Sequence, residues 1–352
     1  MADLFFLFLL FLIGVQSEQA LNEAKNGKSD ADKDRGRILN NRPIIGILSQ
    51  KYYGNFGAYK YSHSYIAASY VKWIESAGGR VVPILLDQDA IYYANLLASI
   101  NGVLFPGGGQ NLSDSGYART GKIIFDLASE MNSKGDYFPL WGTCLGFELL
   151  TILASDEKFI LSPCKSQDQA LPIVFESNID LASTKMFHSL ASDMKKIMET
   201  TNVTINYHRW CLTRSGFKTN LAPNYQLLGV NRDKNGAEFV SMIESKRFPF
   251  YGVIFHPEKT MFEFVLKRNH KMIPHDADSV LVSQYFANYF VNECRKNNHS
   301  FVNGEEEREA LIYNYDAKYT IREENFEQMY FFPIKCNEQN NEIEENGCLS
   351  ED

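Results

Sequence analysis

Three short stretches of this chain hold residue types that can do covalent chemistry. The first is Phe138-Pro-Leu-Trp-Gly142-Thr-Cys144-Leu-Gly146-Phe-Glu148, an apolar strand that turns through Gly-x-Cys-x-Gly into a helix. Glycines on both sides let strand and helix pass close together, so the thiol between them projects alone from the top of a sheet. A helix N-terminus also favours negative charge through its unpaired N–H groups, which predicts a thiol biased toward thiolate. A lone cysteine is ordinarily a small buried apolar residue; this setting predicts a nucleophile at Cys144.

The second stretch is Tyr251-Gly-Val-Ile-Phe-His256-Pro257-Glu258, where a histidine leaves another apolar strand. Placed at the same sheet edge, His256 can take the thiol proton and return it to a leaving amine, while Glu258 orients the imidazole. Alone, His-Pro-Glu would read as a surface turn. The third is Phe105-Pro106-Gly107-Gly108-Gly109, again after a strand. Its bare backbone offers the N–H groups of Gly107 or Gly108, which with that of Leu145 predict an oxyanion hole. No Gly-Lys-Ser/Thr follows, so a phosphate loop is disfavoured.

The elements that must position these residues alternate. Strands are expected at 44–48, 81–85, 102–105 and 138–141, and helices at about 62–76, 90–97, 118–131 and 145–153. Short apolar strands separated by amphipathic helices indicate an α/β fold, a doubly wound, mostly parallel sheet covered on both faces, with its site beyond the carboxyl ends of the strands. Residues 160–255 are less regular, with β-type stretches at 172–175, 225–230, 238–243 and 251–255. A helix over 278–296 is expected to lay Val280, Val282, Tyr285, Phe286, Tyr289 and Phe290 on the sheet.

With 352 residues and 45% hydrophobic content the chain can bury a full core. A net charge of -8 with dispersed cations excludes a nucleic-acid partner. Leu4 to Val15 is an apolar run too short to span a bilayer and ends in small residues, which predicts a signal peptide over 1–17 and no membrane association after its removal. A mobile segment follows over 18–41, then one catalytic domain over 42–320 and a polar tail over 321–352. Sequons at Asn111, Asn202 and Asn298 suit a secreted glycoprotein. Six cysteines, at 144, 164, 211, 294, 336 and 348, lack the spacing of a metal site or a disulfide scaffold. For Cys336 and Cys348 a local disulfide and two idle thiols both stand.

The order Pro-Gly-Gly, Gly-x-Cys-x-Gly, His-Pro-Glu resembles the class I glutamine amidotransferase-like superfamily. Within it the chain is similar to the γ-glutamyl hydrolases, in residues 137–148, in Asn206-Tyr-His208-Arg-Trp210 and in residues 251–259, the likeness running from about Arg42 to Tyr319. Residues 290–299 and 309–313 extend it beyond the cytosolic amidotransferase domains. The resemblance implies Glu148 and His208 as substrate-pocket residues, a homodimer, no metal or other cofactor, and a secreted, lysosomal or vacuolar location. It also implies the reaction: hydrolysis of γ-glutamyl amide bonds in poly-γ-glutamylated folates or antifolates through a thioester on Cys144. Arg209 or Lys259 could meet the substrate's carboxylates, although solvated charges are the plainer reading. Three alternatives share the residues: a hydrolase of small γ-glutamyl amides, a glutaminase that passes ammonia to a synthase, and a secreted binding or storage protein.

Overall fold

The computed structural model describes residues 39–264, 272–322 and 324–334. A seven-stranded sheet forms the centre, in the order Arg80–Ile84, Ile44–Leu48, Val103–Phe105, Leu140–Thr143, Phe250–Val253, Glu238–Ser245, Tyr225–Arg232. The first five run parallel, Glu238–Ser245 runs against them, and Tyr225–Arg232 runs against Glu238–Ser245. The parallel strands are continuously apolar because both faces are covered. Helices Ala68–Ser76 and Ala277–Cys294 share one apolar cluster with the sheet, and Ala90–Ser99, Gly116–Ser133 and Leu145–Leu153 help to close the other side. Trp73 and Trp141 are both fully buried in the first cluster with ring centroids 5.7 Å apart. Such a pair contributes about 0.5–1.5 kcal/mol beyond its buried area.

The expected helix over 62–76 starts later. His63–Ala67 is a strand, alternately half-buried and buried up to Ile66, and the helix begins at Ala68. This strand pairs with Gln50–Lys51 and with Gln328–Pro333, which pairs in turn with Lys318–Tyr319. Part of the stretch expected as a polar tail therefore builds a second sheet; Cys336 and Cys348 lie outside the described residues. The expected strand at 172–175 is reduced to a single bridge between Phe175 and Gly229. A long pair not read from the pattern, Leu161–Leu171 with Thr204–Leu212, stands beside the site. Cys164 and Cys211 join its two strands in a disulfide, which typically contributes about 2–4 kcal/mol.

On the last long helix Val282, Phe286 and Phe290 are buried as expected, whereas Val280 faces outward. Asp276 caps this helix by accepting from the Ser279 N–H at 3.0 Å. Among the described residues no helix is long and apolar enough to cross a membrane.

Candidate active site

Cys144 sits where strand Leu140–Thr143 becomes helix Leu145–Leu153, with φ +52° and ψ −107°. That left-handed φ is costly for a side chain and persists only where the surroundings impose it. Here they do. A Cβ on Gly142 would lie 2.5 Å from the Gly146 carbonyl oxygen, and one on Gly146 only 1.9 Å from that of Phe105. Both crossings therefore require glycine. The Cys144 N–H donates to the Val253 carbonyl at 2.9 Å, tying the turn to the strand that leads to His256.

His256 is buried, and its own N–H donates to the Ile205 carbonyl of the adjacent hairpin at 2.9 Å. Its Nδ1 lies 2.8 Å from Glu258 Oε1 and 3.3 Å from the Tyr70 hydroxyl. The shorter contact sets the tautomer: Nδ1–H donates to the carboxylate, and Nε2, buried and unpartnered, keeps its lone pair. Burial lowers the His256 pKa against the pull of Glu258. Burial alone would raise Glu258, but His256 outweighs it and holds the carboxyl below its usual range. The resting pair is a neutral imidazole on an ionised carboxylate.

Gly107 lies between the nucleophile and the base. A Cβ there would stand 2.7 Å from His256 Cε1 and 3.1 Å from Cys144 Cβ. Its N–H was expected to face a substrate carbonyl; instead it donates to the Tyr70 hydroxyl at 2.8 Å. Gly108 and Leu145 are the other two positions expected to donate there. The carbonyl of Gly107 accepts from Gln50 Nε2 at 2.8 Å, which fixes the loop.

The thiol differs from expectation. Burial pushes the Cys144 thiol well above its ordinary value, the Glu148 and Glu258 carboxylates add to this, and the Leu145 N–H at the helix start only partly offsets them. The resting sulfur therefore carries its proton, and a thiolate forms only by transfer to His256.

Glu148 is buried one turn along the same helix, and burial raises its pKa to about 8. At acidic and neutral pH it is a carboxylic acid, able to donate as well as accept. His208 is buried too. Its Nε2 is 3.2 Å from Asn206 Oδ1, its Nδ1 is 3.1 Å from the Trp210 carbonyl, and burial lowers its pKa to about 3. It can offer shape, not charge. Arg209 is exposed, and Lys259 is buried next to Glu258. Asn111, Asn202 and Asn298 all stand at the surface.

Tyr70 and Gln50 were not singled out from the sequence. Tyr70 lies in a largely apolar stretch where nothing separates it from a core residue, and Gln50 stands between Ser49 and Lys51 with no motif to mark it. Among the described residues one set of potential metal ligands converges, Cys164, His208 and Cys211, within 4.8 Å of one another. Its two sulfurs are bonded to each other, which removes the thiolates a metal would need.

Residues 43–258 match the peptidase C26 family. The chain is 44% identical over 293 residues to the gamma-glutamyl hydrolase of Rattus norvegicus, covering 83% of this chain and 90% of that one. It is 41% identical over 297 residues to the gamma-glutamyl hydrolase of Homo sapiens, with 83% and 90% covered. To gamma-glutamyl hydrolase B of Dictyostelium discoideum it is 38% identical over 322 residues, with 89% of each covered. Among solved structures, the glutaminase domain of Trypanosoma brucei CTPS with bound acivicin superposes with a TM-score of 0.47 at 16% identity, over 73% of this chain and 95% of that one. The chain belongs to the peptidase C26 family, a family of cysteine peptidases, in agreement with the resemblance read from its motifs.

Proposed function

We propose that this chain is a thiol hydrolase of γ-glutamyl amide bonds, that poly-γ-glutamylated folates are its substrates, and that Cys144, His256 and Glu258 carry the reaction. The observation that carries this reading is the unpartnered Nε2 of His256, an imidazole whose other nitrogen is held by Glu258 at 2.8 Å beside the strained Cys144.

In the first half-reaction the Cys144 proton passes to His256 Nε2 as sulfur attacks the side-chain carbonyl carbon of a γ-glutamyl residue. The N–H groups of Gly108 and Leu145 receive the developing oxyanion. The imidazolium, stabilised by Glu258, protonates the departing amine, and a thioester remains. Water then gives a proton to His256 and attacks the thioester; its collapse releases the γ-carboxylate and returns the proton to sulfur. Glu148 and His208 line the pocket, the first as a neutral acid that hydrogen-bonds the substrate, the second through shape. The exposed sequons and the apolar leader support a secreted, lysosomal or vacuolar protein.

The test is mass-spectrometric product analysis of pteroylpenta-γ-glutamate at acidic pH, with Cys144→Ala as control. Shortened folates from the wild type alone are expected. An intact substrate in both would remove the folate assignment and turn attention to small γ-glutamyl amides.

A further inference from the structure

The hairpin beside the site gathers three donor atoms around one point. Its strands, Leu161–Leu171 and Thr204–Leu212, lose register between Pro163 and Ser166, where Cys164 and Lys165 stand opposite Arg209 alone. Such a bulge turns a side chain out of the regular alternation. It brings Cys164 Sγ to 3.5 Å from His208 Nδ1, while Cys211 Sγ stands 3.4 Å from the same nitrogen. A nitrogen and a sulfur held ~2.1 and ~2.3 Å from one tetrahedral Zn²⁺ would lie ~3.6 Å apart. The spacing is right, and what stands in the way is the bond between the two sulfurs.

The imidazole is also supported as a ligand. Asn206 Nδ2 donates to the Gln169 carbonyl at 3.2 Å, which turns Asn206 Oδ1 toward His208 Nε2, also at 3.2 Å. An Nε2–H held there leaves the Nδ1 lone pair facing both sulfurs, and metal-binding histidines are oriented by this kind of outer contact. The Trp210 carbonyl, 3.1 Å from Nδ1, serves the other tautomer, so a metal would select between the two. Asp233, whose carboxylate accepts the Lys165, Asn235 and Ala237 N–H groups, adds a negative charge that His208 feels. His208 and Cys211 are buried and Cys164 is half-buried, which gives a small thiol one sulfur to attack.

We propose that reduction of the Cys164–Cys211 disulfide opens a Zn²⁺ site on this hairpin, built from the two thiolates and His208 Nδ1. A monothiol supplies the electrons. Its thiolate attacks Cys164 Sγ, the S–S bond breaks and Cys211 leaves as thiolate; a second monothiol then resolves the mixed disulfide and frees Cys164. The chain gains two electrons and two protons, and two monothiols become one small disulfide. Zn²⁺ displaces both thiol protons to solvent, and three protein ligands leave its fourth position open. Binding there requires no γ-glutamyl substrate, so it can be tested without turnover.

The experiment titrates Co²⁺, whose visible absorption reports tetrahedral thiolate ligation, into Cys144→Ala protein so that the nucleophile cannot bind the metal. The protein is used as it stands, or after reduction with 2-mercaptoethanol and desalting without air. The reduced protein is expected to bind one Co²⁺ per chain with thiolate bands, displaced by Zn²⁺, and the oxidised protein to show none. Asn206→Ala should weaken binding by ~10- to 100-fold, the usual cost of losing an outer-shell partner, and His208→Ala by more. Cys164→Ala/Cys211→Ala should abolish the bands. If that double variant does not fold, Zn²⁺ should protect Cys164 and Cys211 of the reduced parent from iodoacetamide in peptide mapping. A disulfide that resists the monothiol, bands that persist without Cys164 and Cys211, affinity unchanged in His208→Ala, or full alkylation of both cysteines under Zn²⁺ would each overturn the proposal.

Discussion

His256 and His208 are both buried, stand close enough to feel each other's charge, and touch the same strand, Thr204–Leu212. Their second neighbours differ. His256 has a carboxylate on Nδ1 and nothing on Nε2. His208 has a side-chain amide oxygen and a backbone carbonyl at its two nitrogens, the Cys164 and Cys211 sulfurs within 3.5 Å, and the Phe239 ring edge-on at 4.9 Å. Burial lowers both pKa values, but only His256 has a carboxylate hydrogen-bonded to its ring; His208 has the Trp210 carbonyl and, without a hydrogen bond, the Asp233 carboxylate to favour its charged form. Two histidines of equal burial thus become an acid–base group and a fixed wall, according to what occupies the second nitrogen.

The largest expected effect would break this contrast outright. His256→Asn should lower kcat by ~10⁴-fold or more with folding intact, as loss of the base does in comparable triads. His208→Asn should leave the shape of the pH profile of kcat/KM unchanged, because a group lowered to about 3 does not titrate in the working range. An acid limb that moves in the His208 variant would refute the assignment of roles. A middle-sized effect concerns the surroundings of His208. Replacing Cys164 and Cys211 together by Ala should cost about 2–4 kcal/mol in denaturant unfolding. Unchanged stability would show that the hairpin is held by pairing alone.

A further effect, seen only as a dependence on pH, concerns Glu148. Its folded pKa is about 8 against an ordinary 4.5, so the folded chain keeps a proton that the unfolded chain has released. That contribution is fully present below about 4.5 and is lost as pH rises through about 8. Glu148→Gln, which has no carboxyl to ionise, should therefore gain in thermal midpoint relative to wild type over this interval. Parallel curves for the two proteins would place Glu148 in a wetter setting than its burial indicates.

The parts of the molecule legible in the sequence are those whose cause is local. The helix Leu145–Leu153 has the expected span, and the parallel strands fall within two residues of theirs, because an apolar run between glycines leaves few alternatives. The elbow was readable because its glycines are needed where they stand. What was missed depends on distant partners. The strand His63–Ala67 looks helical until Gln328–Pro333 is placed beside it. Tyr70 reads as a core aromatic until the folded chain brings the Gly107 N–H to its hydroxyl. The thiol's charge state was also misjudged: a helix N-terminus is visible in sequence, whereas the burial that outweighs it is not.

The pairing of Ala67 with Met329 bears on how the protein is made. The parallel sheet and the elbow are complete by Val253, so they can assemble while the rest of the chain is still being synthesised. The small sheet cannot, because closing so long a loop is slow and its last strand is among the last parts translated. Phe326 arrives with that strand, so a nascent chain would possess its nucleophile and base before the ring that faces the Lys259 ammonium. Chains truncated before residue 326 should therefore resemble a late biosynthetic intermediate, folded around the thiol but without the small sheet.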